Sequence, residues 1–296
     1  MATLRELKSR IGSVASSEKI TGAMKMISSA KMHKAEQGLR RLQPFRRQVE
    51  DVIGNLLQAD VECTSPLLER REVSHIAVVV FGSDDGLCGA YNVNIFKQLL
   101  QHLADYRREF GDAVRITLYP IGAKMLKAVK KLEDATLDVV TLEGVDSKTV
   151  GEGVRVFTDR LRQDFESGAV DRVDYLYMHF RSVSKQIPTF GQLMPVVPEQ
   201  FAGSGDGAGQ RQGRPYIFEP SPQEIFRSIL PMLLMAVMED LFTENRASEQ
   251  AARVMAMQSA NDNAKKLLEQ LQLEYNKLRQ QSITTELLDI LGGQVR

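Results

Sequence analysis

AARVMAMQSANDNAKKLLEQLQLEYNKLRQQSITTELLDIL, residues 251–291, is the stretch whose reading decides the fold. Val254, Met257, Asn261, Ala264, Leu268, Leu271, Tyr275 and Leu278 step by three and four without a break, the spacing that turns one narrow stripe toward a partner helix. A seam of this kind needs a second long helix to cover it. The first 58 residues supply one. Leu4, Leu7, Ile11 and Val14 keep the same step, as do Ile20, Met24 and Ile27, and then Ala35, Leu39, Leu42, Val49, Ile53 and Leu56 after phase shifts. The two chain ends are therefore expected to wind together, over 1–58 and 222–296, with everything between them looped out. Pro44 and Pro231 fall inside these periodic stretches and should kink or restart each helix. The C-terminal helix is the longer, so its tip is expected to be unpaired, stopping at Gly292 and Gly293.

The middle of the chain has a different period. SHIAVVVFGS and VRITLYPIG are short, β-branched apolar runs, each leading into a helical pattern, NVNIFKQLLQHLADYRREF and AKMLKAVKKL. This is β-α-β alternation. ATLDVVTL reads as a weaker strand before the amphipathic SKTVGEGVRVFTDRLRQDF, and RVDYLYMHFRS and TFGQLMPVV read as two adjacent strands closing the sheet. Residues 74–202 are thus expected to form a Rossmann-like α/β domain with a largely parallel sheet. Residues 203–221 follow as a glycine-rich loop and a turn. The fold class is α/β: a long antiparallel coiled coil of the terminal helices with an inserted α/β domain.

At 296 residues, with 43% hydrophobic and 26% charged content, the chain can bury one packed domain and carry an extended element besides. No apolar run approaches the ~20 residues needed to cross a bilayer, and MATLRELKSR lacks the apolar core of a signal peptide. A cytoplasmic setting is expected. Cys63 and Cys88 match no metal-ligand spacing and read as reduced thiols. Residues 1–47 hold eleven Lys and Arg against three Asp and Glu, a basic helix that calls for an acidic neighbour or solvent. Its cations fall around the helix rather than on one stripe, and no aromatic residue precedes Phe45, which argues against nucleic acid.

FGSDDGLCGAYN, after the first strand, is the one segment with an enzymatic look. Gly82, Gly86 and Gly89 sit where a phosphate-cradling loop would. The match fits neither GxGxxG nor GxxxxGK[ST], and no Lys is placed to reach a phosphate. A structural turn is the better reading, with Asp84 and Asp85 as solvated turn residues and Asn92 as the cap of the following helix. The histidines, at 33, 75, 102 and 179, have no zinc spacing. Met24, Met26, Met32, Met255 and Met257 gather on the terminal helices, suiting either adaptable core packing or a surface that repacks against changing partners. No cofactor and no metal are expected.

MATLRELKSRIGSVASSEKITGAMKMISSAKMHKAE, SDDGLCGAYNVNI and ASEQAARVMAMQSANDNAKKLLEQLQLEYNKLRQQSITTELLDI, in that order along the chain, closely resemble the γ subunits of F-type ATP synthases. KITGAMKMI and YNKLRQQSITTEL are the most specific of these stretches. The resemblance implies a non-catalytic central shaft turning inside a hexamer of α and β subunits. The α/β domain would be its foot on the membrane ring of c subunits, with ε alongside. Rotation driven by proton or sodium flow would force each catalytic β subunit through its cycle. The location implied is the cytoplasmic face of the bacterial inner membrane, held there only through the complex.

The same resemblance implies roles for single residues. Lys19, Met24 and Lys25 would meet the β-subunit lever, and Arg279, Gln280, Thr284 and Glu286 would catch a β-subunit loop. Leu287, Leu288, Ile290 and Leu291 would form the bearing, and Tyr216, Phe218 and Glu219 would face the ring. The likeness weakens over EDLFTENRASEQ, where Thr243 and Asn245 stand in place of smaller or apolar residues. The loop at 203–213 is too short, and lacks the cysteines, for the redox insertion of chloroplast relatives. Two rival readings are a dinucleotide-binding enzyme, which leaves the long helices unexplained, and a coiled-coil adaptor or nucleic-acid-binding protein with an α/β domain.

Overall fold

The computed structural model describes residues 3–58, 64–197 and 219–293. Helix α1 spans Leu4–Gln58 and helix α5 spans Pro222–Gly293. The first turn of α1 is a capping box. The Thr3 N–H donates to Glu6 Oε2 at 2.9 Å, and the Glu6 N–H donates back to Thr3 Oγ1 at 3.3 Å, which satisfies two of the donors a helix start leaves open. At α5 the Glu224 N–H donates to Ser221 Oγ at 3.3 Å, with Pro222 in the first helical position, where a missing N–H costs nothing. Pro44 and Pro231 both lie inside continuous helix, so neither restarts it. Pro44 is exposed, and water can take the carbonyl that its ring leaves without a donor.

Contacts divide the chain into two units, Met1–Ala30 with Arg253–Arg296, and Lys31–Ala252. The second holds the sheet. Strands β1 (His75–Phe81), β2 (Arg115–Ile121), β3 (Leu137–Val139), β4 (Arg172–Ser182) and β5 (Lys185–Met194) lie in the order β3-β2-β1-β4-β5. All pairings are parallel except β4 with β5. The third strand is only three residues long, so most of the apolar run 135–142 is not strand.

Helices α2 (Tyr91–Phe110), α3 (Ala123–Val129) and α4 (Glu152–Glu166) make the crossovers. The chain first steps outward through β1, β2 and β3, then returns past β1 to β4. Right-handed crossovers in opposite directions place their helices on opposite faces. Accordingly Ile76, Val78 and Val80 pack with α2 and α3, while Ala77, Val79 and Phe81 pack with α4 and with residues of α1 and α5. That second core takes in Val49, Ile53 and Leu56 of α1 and Phe226, Leu230, Leu234, Met238 and Phe242 of α5. Numbers rise along α1 as they fall along α5: a Cβ on Gly38 would meet Thr243 Cγ2 at 3.3 Å, and Arg46 pairs with Asp240 at 2.7 Å. Within this unit the terminal helices are antiparallel.

Candidate functional site

In the first unit, the buried and half-buried residues of α1 include Leu7, Ile11, Val14, Glu18, Thr21, Lys25 and Ser28. The three-four step never breaks. The phase shift expected at Ile20 does not occur: Ile20 and Ile27 are 59% and 56% exposed, and polar residues hold the seam instead. Hydrogen bonds within α1 and across the seam serve Thr21 and the Glu18 carbonyl. Thr21 Oγ1 donates back to the carbonyls of Ser17 and Glu18 at 2.9 and 3.0 Å, and Asn261 Nδ2 reaches the Glu18 carbonyl at 2.7 Å and Thr21 Oγ1 at 3.3 Å. A reading based on apolar residues steps off such a stripe.

On α5 the expected seam is the observed one. Val254, Met257, Asn261 and Leu271 are buried, and Ala264, Leu268, Tyr275 and Leu278 are half-buried. Counting outward in antiparallel sense from Asn261 beside Thr21 brings Leu278 opposite Leu4, where α1 begins. Burial fades there. From Ile283 to Leu291 every side chain the structure describes is exposed.

Of the residues that the resemblance ties to partner contacts, those of α1 and of the end of α5 fall on this unit. Lys19 is exposed, Met24 is half-buried beside the seam, and Lys25 is half-buried on it. Arg279, Gln280, Thr284 and Glu286 are exposed past its end. Thr284 Oγ1 donates to the Gln280 carbonyl at 2.9 Å, so these two share a face, and Ser282 Oγ reaches Glu286 at 3.4 Å. Leu287, Leu288, Ile290 and Leu291 are each more than half exposed. Four large apolar side chains are thus left in water near one helix end. Glu219 is an exposed residue in a bend. Tyr216, Phe218, Cys63 and the loop at 203–213 lie outside the described residues.

In the second unit, the chain reverses its winding between β1 and β4, the position where doubly wound sheets bind ligands at the carboxyl ends of their strands. Here that position is filled from within. Phe242 of α5 packs edge-on against Phe81 with ring centroids 5.0 Å apart, and Asn245 Nδ2 donates to the Gly82 carbonyl at 3.1 Å. The loop after β1 is equally occupied. Asn92 is not a helix cap: its Oδ1 accepts from the Ser83 N–H at 3.0 Å, and its Nδ2 donates to Ser83 Oγ at 2.7 Å. Asp84 is likewise not a solvated turn residue, since it accepts from the N–H groups of Ala123 and Ser147 at 3.0 and 3.2 Å and from Ser147 Oγ at 2.7 Å. Gly122, at φ +101°, presses against the backbone of Ser83, where any side chain would come within 2.8 Å. Two loops touching backbone to backbone, with a carboxylate bridging them, present no cradle for an anion.

Two buried carboxylates of this unit are paired. Asp174, fully buried, accepts two bonds from Arg172 Nε at 2.9 and 2.7 Å and one from the Tyr106 hydroxyl. Burial raises its carboxyl above the usual range in spite of these partners. Glu244 faces His179 Nδ1 at 2.5 Å and accepts from the Phe180 N–H at 3.3 Å. Burial lifts its carboxyl above the ordinary 4.5. Thr243 and Asn245, which stand where smaller or apolar residues were expected, are buried and hydrogen-bonded. Among the described residues no group of three or more His, Cys, Asp and Glu could hold a metal, and no helix is long and apolar enough to cross a membrane.

The family model for ATP synthase matches residues 3–295. The chain is 38% identical to the ATP synthase gamma chain of Bacteroides thetaiotaomicron and 40% identical to that of Phocaeicola vulgatus, in each case over 100% of both chains. Among solved structures it resembles a chain of the Euglena gracilis mitochondrial ATP synthase, with TM-score 0.64, 20% identity and coverage of 99% of this chain and 93% of that one. It also resembles a chain of the Tetrahymena thermophila mitochondrial ATP synthase central stalk and c-ring structure, with TM-score 0.57, 20% identity and coverage of 81% and 99%.

Proposed function

The chain belongs to the ATP synthase gamma-chain family, and on that premise we propose that it is the central rotor stalk of an F-type ATP synthase. It transmits rotation between the membrane c-ring and the catalytic α/β hexamer during proton- or sodium-driven ATP synthesis. The observation that carries this reading is the end of α5, which outlasts its partner helix and exposes Leu287, Leu288, Ile290 and Leu291. An unpaired apolar tip is costly in water and suits a greasy collar in which a shaft turns.

In this reading Lys19, Met24 and Lys25 meet the acidic lever of each β subunit, and Arg279, Gln280, Thr284 and Glu286 engage a β-subunit loop. Glu219, with Tyr216 and Phe218, faces the ring, and ε binds beside the sheet unit. The chain performs no bond-making chemistry; it moves catalytic sites that lie in other subunits. It works at the cytoplasmic face of the bacterial inner membrane, attached through its partners. The adaptor and nucleic-acid readings gain no support from the matches, which run the full length of gamma chains.

The test is reconstitution. Sizing should show one copy of this chain joining α and β subunits, and the joined complex should hydrolyse ATP cooperatively. A chain that stays apart from α and β overturns the proposal.

A further inference from the structure

The apolar packing of α5 in the sheet unit involves Phe226, Leu230, Leu234, Met238 and Phe242. Hydrophobic burial is non-directional. It holds the helix to the sheet strongly and resists turning of the helix about its own axis less well, because one apolar contact can replace another. Resistance to turning comes from directional bonds. The most deeply buried of these belong to Asn245, whose side chain is 1% exposed.

We propose that Asn245 is the pin that fixes the rotational setting of α5 against the sheet, a positioning residue through which torque passes between the sheet unit and the helix. The proposal rests on the stalk reading above. The carboxamide has one orientation available: the Gly82 carbonyl can only accept, so Nδ2 faces it, and Oδ1 is left for the Tyr91 hydroxyl. The same hydroxyl also donates to the Asn245 main-chain carbonyl at 3.2 Å. One side chain thereby ties α5 to the end of β1 and to the first turn of α2.

The anchor is itself rigid. The Gly82 N–H donates to the Ile121 carbonyl at 2.9 Å, and a Cβ on Gly82 would fall 2.5 Å from Met125 Cβ. Gly82 cannot follow Asn245 if α5 turns, so the bond must stretch or break. The pin sits at the switch point of the sheet, where a ligand would sit in an open sheet of this winding. A helix side chain has taken the ligand's hydrogen bonds.

The experiment uses the complete membrane complex carrying Asn245→Leu or Tyr91→Phe, with hydrolysis of ATP and ATP-driven uptake of the coupling ion measured on the same preparation. Asn245→Leu should leave hydrolysis within about twofold of wild type while lowering ions moved per ATP about threefold under a full opposing gradient, the effect expected for losing a buried directional contact. Tyr91→Phe removes only the hydroxyl and should show a smaller drop of the same kind. A merely structural role would lower hydrolysis and uptake together through loss of complex, leaving their ratio unchanged, and that result overturns the proposal. If Asn245→Leu fails to assemble, Tyr91→Phe decides alone: a wild-type ratio refutes the pin. Failure of the wild-type chain to assemble would refute the stalk reading instead, and no variant enters that measurement.

Discussion

The side-chain amide of Asn261 donates to the main-chain carbonyl of Glu18 at 2.7 Å, across 243 residues of sequence. The same amide lies 3.3 Å from Thr21 Oγ1, and the residue is 7% exposed. Asn261 is the one polar residue in the α5 stripe from Val254 to Leu278, and such a residue fixes register because only one alignment satisfies it.

Asn261→Ala should lower the stability of the isolated chain by about 1 kcal/mol, the net value of a typical buried hydrogen bond. Urea denaturation followed by circular dichroism checks this. An unchanged midpoint would mean that apolar packing alone sets the register.

Ile20→Ser combined with Ile27→Ser should change the stability of the isolated chain by less than about 0.5 kcal/mol, since both side chains lie outside the seam. Ile53→Ala, at a fully buried position, should cost about 2–5 kcal/mol. If the double serine variant is the less stable of the two, the seam has been placed on the wrong stripe.

Arg172→Ala should destabilise the chain by about 3 kcal/mol or more, because it leaves the buried Asp174 carboxylate without its cation. Adding Asp174→Ala should recover part of that loss. A double-mutant cycle in urea reads the coupling, and additive losses would show that the two side chains act independently.

The sheet unit should also carry a pH-dependent component. Burial lifts the Glu244 carboxyl above its ordinary 4.5, so the folded state holds this proton more tightly than the unfolded state. The stability tied to Glu244 is therefore full below that ordinary value and is lost as pH rises through the raised folded value. Glu244→Gln should shrink the difference in urea midpoint between about pH 4 and pH 7. His179 faces the same carboxylate, so the comparison is repeated in a His179→Ala background, and an undiminished difference there removes Glu244 as the source.

Replacing Arg279 and Gln280 together by Leu should leave the chain folded, since both are exposed beyond the seam. In the proposed complex it should slow multi-site ATP turnover by at least about tenfold while sparing turnover at substoichiometric ATP, as expected when a charge-assisted contact is lost. Full multi-site turnover in the double variant would return these residues to ordinary solvated surface.

The α5 seam was legible in the sequence because its residues are almost all apolar, from Val254 to Leu278. The α1 seam was legible only at its ends. Between Glu18 and Ser28 the interior positions are polar, and Glu18 and Thr21 are bonded there by Asn261, a residue more than two hundred positions away. Periodicity cannot register a hydrogen bond of that span. The largely parallel sheet followed from β-branched runs alternating with amphipathic ones, whereas its strand order did not. The roles of Asp84, Asn92 and Asn245 did not, since each depends on which loop ends the fold brings together, and Asn245 in particular read as a departure when it is a buried link to Gly82 and Tyr91.

The pairing of the two chain ends also sets an order of events during synthesis. Thr21 leaves the ribosome 240 residues ahead of Asn261, which at ordinary elongation rates is on the order of ten to fifty seconds. For that interval the N-terminal helix has no partner, and an uninterrupted apolar stripe would invite other nascent chains. Glu18, Thr21, Lys25 and Ser28 break the stripe where it would otherwise be longest, and the hydroxyl of Thr21 bonds its own helix. The polar interior of the seam thus leaves less apolar surface on the helix while its partner is still being made.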